Sequence, residues 1–269
     1  MARLLAFCES PRDFETIRAL VERVLRERGP EWIRDLIESS LAPGLGALEW
    51  TADGAGRDYF DIHQVKSYAS RYGIRVPHGH FAGRPGEAGA LMGRTAFRVA
   101  RELALTDSDL IAVLLVWDMD DQANTRRSGL EQARTEAHTL MPLAIVLGCP
   151  DPMREAWLLA GFEPETDAER ERLAGLRQEL GFNPCEEAHR LDAKFDEKRE
   201  QAKRNPKRVL DLLTNGEYAR EARCCEHVSL WTLRIRGEHS GLTAFLDETA
   251  ALLVPRLSGE PPQPLVKRK

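Results

Sequence analysis

No long apolar run occurs in this chain. The longest, Leu110 to Trp117, falls far short of the roughly 18 residues needed to cross a bilayer. No basic-then-apolar leader opens the chain, so a cytoplasmic protein with no membrane partner is the expectation. The five cysteines, Cys8, Cys149, Cys185, Cys224 and Cys225, are odd in number and contain no CxxC pair, which argues against a disulfide scaffold and a zinc ribbon. Cys224 and Cys225 stand beside His227, but adjacent cysteines do not comfortably present both thiolates to one tetrahedral ion, so they read as packing residues. The glycines around Arg84 and Arg94 lack the Lys-Ser/Thr of a P-loop, so no ATPase is expected within the chain. Neither sign of charge dominates: the net charge of −5 argues against nonspecific coating of nucleic acid, yet allows an acidic cation site near a local basic surface. With 42% hydrophobic and 30% charged residues, whole-chain disorder is excluded and a globular protein is expected.

The hydrophobic pattern alternates between strand and helix. Arg3 to Glu9 reads as a strand that turns at Ser10-Pro11 into a helix over Pro11 to Arg28, with Phe14, Ile17, Leu20, Val21, Val24 and Leu25 at helical spacing. Acidic Asp13 and Glu15 come early in that helix and Arg26 and Arg28 late, as the helix dipole favours. Residues 30–73 read as an insertion, with helices near Trp32 to Ser39 and His63 to Tyr72. A second strand is expected over Ile74 to Phe81 and a helix over Gly86 to Leu105. The third strand, Asp109 to Trp117, is continuously apolar, as strands buried on both faces of a parallel sheet are. A helix over Ser128 to Thr139, a fourth strand over Leu143 to Cys149 and a helix over Met153 to Leu159 follow. This order predicts an α/β fold with a parallel sheet of about four strands flanked by helices. Residues 1–160 form the expected core, and 161–257 a helical region with segments at Asp167 to Leu180, Cys185 to Asp192, Asn205 to Leu213 and Leu242 to Leu257. Residues 258–269, with three prolines and Lys267-Arg268-Lys269, read as a tail.

Sites in open parallel sheets form beyond the carboxyl ends of the strands. Three of the four expected strands carry acids there: Glu9 after the first, Asp118, Asp120 and Asp121 after the third, and Asp151 with Glu155 after the fourth. In extended backbone, residues two apart face the same side, so Asp118 and Asp120 can address one ion while Met119 points elsewhere. Adjacent strands lie about 4.8 Å apart, so Glu9 can join them if the first and third strands are neighbours. Such hard oxygen ligands suit Mg²⁺ or Mn²⁺. The plainer reading is surface carboxylates and helix caps. It weighs more for Asp121, Asp151 and Glu155 singly than for Glu9 with the Asp118/Asp120 pair.

A glutamate closing the first strand (LLAFCES) and a buried strand ending in DxD about a hundred residues later (VLLVWDMDD) resemble the Toprim superfamily. The segment Met153-Arg154-Glu155-Ala156-Trp157-Leu158-Leu159-Ala160 is similar to a signature of small stand-alone Toprim-like proteins related to OLD-type endonucleases, often found with an ATPase in prokaryotic defence or mobile-element loci. The resemblance covers residues 3–160. It implies a metal-dependent nuclease acting on DNA more readily than RNA, with a partner ATPase; a homo-oligomer stays open. It also implies Glu9 as general base or metal ligand, Asp118 and Asp120 as metal ligands, and Glu155 as support for a second metal. The sequence departs from the family in the Ser-Pro after Glu9, where many members have glycine, and in the long insertion.

Phosphodiester cleavage also calls for a cation to balance added phosphate charge. Lys194 to Arg208 holds seven basic residues against three acidic, and Lys203, Arg204, Lys207 and Arg208 are the candidates for phosphate contact, with Lys207 the candidate catalytic cation. A solvated helix face with charge pairs explains the same run. His78 and His80 read as loop histidines, and Trp117 and Trp157 as core. Two alternatives remain. One is a noncatalytic Toprim scaffold or nucleic-acid-binding module. The other is a haloacid dehalogenase-type phosphohydrolase, disfavoured because its DxD usually follows the first strand.

Overall fold

The amino-terminal apolar run forms β1 (Ala2–Cys8), whose residues Leu4 to Cys8 are wholly buried. The computed structural model describes residues 2–39, 48–75, 78–192 and 203–260. Ser10 ends the strand and caps α1 (Pro11–Arg28) by accepting a hydrogen bond from the Asp13 N–H, with Pro11 in the first turn, where its missing N–H costs nothing. There follow α2 (Glu31–Ser39), β2 (Leu48–Trp50), β3 (Phe60–Asp61), a 3₁₀ turn over Ile62–Gln64, α3 (Val65–Arg71), β4 (His80–Phe81), β5 (Arg84–Pro85), α4 (Ala90–Thr106), β6 (Leu110–Val116), α5 (Ala123–Ala137) and β7 (Ala144–Gly148).

The main sheet is parallel throughout, in the order β2-β1-β6-β7, with β3 also paired to β1. Phe7 stands opposite both Leu115 of β6 and Phe60 of β3, so β3 continues the edge that β2 begins. The α/β fold with a parallel sheet flanked by helices is thus present. Two strand expectations need correction. Ile74 to Phe81 contributes no strand to this sheet: within its described part only His80 and Phe81 are extended, and they pair antiparallel with Arg84 and Pro85 around Ala82 and Gly83. Both of those residues adopt positive φ (47° and 80°), the backbone of a tight hairpin turn. The missing edge comes from the expected insertion instead, through β2 and β3, each too short to show a period in the sequence.

Beyond β7 lie α6 (Arg154–Ala160), α7 (Asp167–Leu180), a 3₁₀ turn over Ala188–Arg190, α8 (Pro206–Thr214), α9 (Tyr218–Glu226), α10 (Leu230–Arg236) and α11 (Leu242–Glu248). A π-helical turn over Thr249–Leu253 and α12 (Val254–Ser258) close the described chain. Cys185 to Asp192, expected as a helix, forms only the short 3₁₀ turn.

The chain divides into two units interleaved in sequence: one of Met1–Trp117, Asn124–Gly148 and Asp247–Lys269, the other of Asp118–Ala123 and Cys149–Leu246. This division differs from a boundary at residue 160. In the sheet unit, Glu248 accepts hydrogen bonds from Arg134 (2.7 Å) and from the Leu147 N–H (3.0 Å), which ties the returning carboxyl-terminal segment to β7. In the helical unit, α6 is buried at every position and packs against α8, α9 and α10. Trp157 stacks on Phe245 at 5.1 Å and donates its indole N–H to the Ser240 carbonyl at 2.7 Å, the partner a buried indole requires.

Candidate functional site

In the sheet unit, the pairing of β1 with β6 puts the carboxyl ends of the two strands side by side, at Cys8-Glu9 and Val116-Trp117. Glu9 Oε1 accepts the Trp117 indole N–H at 3.1 Å and lies 3.1 Å from His63 Nε2. His63 is held in turn by Asp61, whose Oδ1 accepts the His63 backbone N–H. Asp61 stands opposite Cys8 in the register of β1 with β3. Burial, aided by the charges of Asp13, Asp61 and Glu9, pushes the Cys8 thiol far above its ordinary range, so this cysteine stays protonated. Sequence reasoning found Glu9 but missed both of these neighbours. Trp117 is not the core residue that its apolar strand suggests: it is half-buried, with Arg126 over its ring at 4.5 Å. Its position one residue before the DxD, on the strand beside Glu9, was the available signal. For His63 no sequence signal existed, since it arrives with the two-residue strand β3.

The helical unit holds the other acids. The Asp118 to Asp121 segment is a loop, not a strand continuation, and Asp120 takes left-handed backbone with φ 50°. The alternation argument therefore does not describe it. Its main chain is fixed instead by hydrogen bonds from the Met119 N–H to the Pro150 carbonyl (2.9 Å) and from the Asp120 N–H to the Pro152 carbonyl (2.7 Å). Met119 is wholly buried, while Asp118 is half-buried and Asp120 and Asp121 are exposed. Asp118 Oδ1 accepts the Arg154 N–H at 2.9 Å, so the helix-cap reading applies to this aspartate, across a gap in sequence.

Glu155 sits among other partners. Arg154 lies 3.2 Å from Glu155 Oε1 and 3.9 Å from Glu221 Oε2, and all three residues are buried. Glu155 Oε2 is buried with no hydrogen-bond partner among the described residues. The guanidinium offsets a charge that the resemblance assigns to a second metal. Asp151 is anchored through its backbone, its N–H donating to the Ser240 carbonyl at 3.0 Å.

Of the basic run, residues 193–202 lie outside the described residues. Lys203 and Arg204 are exposed, and Lys207 and Arg208 occupy the first turn of α8, after the Asn205 cap. Arg208 is committed to Glu179 of α7 at 3.0 Å and to the Lys203 carbonyl. Arg204 lies 5.8 Å from the Phe182 ring. Lys207 is exposed. His78 and His80 are exposed beside the β4-β5 hairpin, where Arg94 donates to both of their carbonyls and covers Phe81.

No protein-family model, curated protein or solved structure matches the chain.

Among the described residues no group of three or more histidines, cysteines, aspartates or glutamates is arranged to hold a metal ion. All five cysteines are buried and outside any disulfide, and burial pushes the Cys185 and Cys224 thiols up to about 12. The charged donors on the loop after β6 are the carboxylates of Asp118, Asp120 and Asp121. That chemistry fits Mg²⁺, which is usually held by one or two carboxylates with water and substrate phosphate, not by an all-protein cage. Among the described residues no helix is long and apolar enough to cross a membrane.

Proposed function

We propose that the chain is a Mg²⁺- or Mn²⁺-dependent nuclease of Toprim-like kind that cleaves DNA, working with a partner ATPase. The reading rests most on one observation: in the sheet unit β1 and β6 are parallel neighbours, so Glu9 follows one strand end and meets Trp117 at the other, the residue that precedes Asp118-Met119-Asp120 in sequence. Asp118 and Asp120 would hold the ion. A bound divalent ion supplies a more acidic water and charge stabilisation for the leaving oxygen. Glu9 accepts a proton from the attacking water, and the Trp117 N–H and His63 fix its orientation. Lys207 neutralises phosphate charge near the start of α8.

A noncatalytic scaffold is the second reading, and the pairing of Glu155 with Arg154 is the observation in its favour. Incubation of the purified chain with supercoiled plasmid and Mn²⁺, with and without its ATPase, separates the two. Nicked or linear product is expected, lost by at least about a hundredfold in Glu9→Gln, as removal of a general base costs. Intact plasmid under every condition, or product undiminished by Glu9→Gln, contradicts the nuclease reading.

A further inference from the structure

One face of α7 carries Arg170, Leu173, Ala174 and Arg177 at the spacing of a single helical stripe. That stripe lines a cavity of about 230 Å³ in the helical unit, completed by Arg236 of α10 and the turn from Asn183 to Glu186. Leu173 is buried at the cavity wall, as a core-facing position of α7 should be; the arginines are not needed for packing. Arg170 is engaged outside by Asp167, at 2.7 and 3.0 Å. Among the described residues Arg236 makes only long contacts, 3.4 and 3.5 Å to the Phe162 and Ala160 carbonyls and 3.5 Å to Glu163. The Arg177 side chain has no hydrogen bond or ion pair among the described residues, although it lines the cavity and acts electrostatically on the buried Cys185 thiol. Asn183 Oδ1 accepts the Cys185 N–H, so this side chain offers its amide N–H groups as donors. The polar lining is therefore dominated by donors, with spare capacity on two guanidiniums.

We propose that this cavity binds a small free phosphate-bearing ligand, with Arg177 and Arg236 gripping the phosphate. Planar guanidiniums match phosphate oxygens bidentately, and such charge-assisted bonds are about twice as strong as neutral ones. The volume lies below the ~300–1,000 Å³ of drug-sized pockets, which suits one or two phosphoryl groups with a compact substituent. A nucleic-acid strand fits the lining less well, because Glu163 and Glu186 also border the cavity and repel a continuous row of phosphates. The site shares no residue with the proposed metal loop, and the inference stands or falls without it.

The test is calorimetric titration of the full chain with inorganic pyrophosphate in EDTA, which removes divalent ions from the question. Saturable binding is expected, weakened at least ~10-fold in Arg177→Gln and further in Arg177→Gln with Arg236→Gln. Arg177 is exposed, so the single variant keeps the fold, with circular dichroism as the check. Arg190→Gln is the control: Arg190 lies over Phe182 and pairs with Glu187, and binding should be unchanged. Absence of saturable heat, or equal affinity in Arg177→Gln, overturns the inference. So does a titration in which short single-stranded DNA binds through Arg177 and pyrophosphate does not.

Discussion

At Glu169, burial and ion pairing oppose each other. Burial raises the carboxyl's proton affinity, but Arg220 at 2.7 Å and the Glu165 and Thr166 N–H groups outweigh it and bring the group down to about 2. A folded-state value below the unfolded one means that the contribution to stability is complete above the ordinary carboxylate range, about 4.5, and fades as pH falls toward about 2. Urea unfolding between pH 6 and pH 3, values chosen to span about that window, should show a loss that is much smaller in Glu169→Gln. At neutral pH that variant takes the nearest carboxylate from buried Arg220 and leaves it Glu165 at 3.7 Å and the Glu163 carbonyl, so it should cost about 3 kcal/mol, the low end for breaking a buried pair. Trp117→Phe addresses a different residue-scale role. It keeps a ring beneath Arg126 but removes the N–H that orients Glu9. Cleavage should fall by about tenfold, the worth of one hydrogen bond, with KM for DNA unchanged.

Among the elements, capping and close approach decide where helices begin and how nearly they pack. Asn205 Oδ1 accepts the Lys207 and Arg208 N–H groups at the start of α8, and Asn205→Ala should cost about 1 kcal/mol in thermal or urea unfolding. Gly129 of α5 passes so close to the loop before α4 that an added Cβ would lie 2.0 Å from the Ala88 carbonyl oxygen. Gly129→Ala should therefore destabilise the sheet unit by about 1–3 kcal/mol, the usual cost of overpacking, despite alanine's better helix propensity. Elements of this kind were legible to different degrees. The α1 bounds, from Pro11 to Arg28, follow from Ser-Pro at one end and Gly-Pro at the other; α7 follows from its capping box and Gly181. The strands β1, β6 and β7 show as apolar runs because both faces are buried. By contrast β2 and β3 are held by pairing to β1, which no local pattern encodes; α9 carries too much charge to stand out, and α10, at seven residues, is too short to show a helical period. Glu9 and Asp118 could be singled out because they follow such apolar runs. The loop geometry at Asp120 depends on carbonyls of Pro150 and Pro152, distant in sequence, and could not be read.

Over the whole molecule, a net charge of −5 sets the terms for a nucleic-acid partner: attraction has to be local. Lys207→Ala should weaken DNA binding and lower the slope of log affinity against log salt by about 1, while Arg208→Ala should also destabilise α8 through loss of Glu179. The interleaving of the two units has a further consequence. The loop that carries Asp118 and Asp120 belongs with α6 and the carboxyl-terminal helices, so a truncation after residue 160 removes helices against which α6 packs and should abolish the loop's order. The claim on which the functional account depends is that this loop holds a divalent ion. Titration of the full chain with Mn²⁺, followed by electron paramagnetic resonance of the free ion, tests it most directly. One saturable site is expected, lost when Asp118→Asn and Asp120→Asn are combined; a wild-type chain that leaves all the Mn²⁺ free, or a double variant that binds as well as wild type, would contradict it.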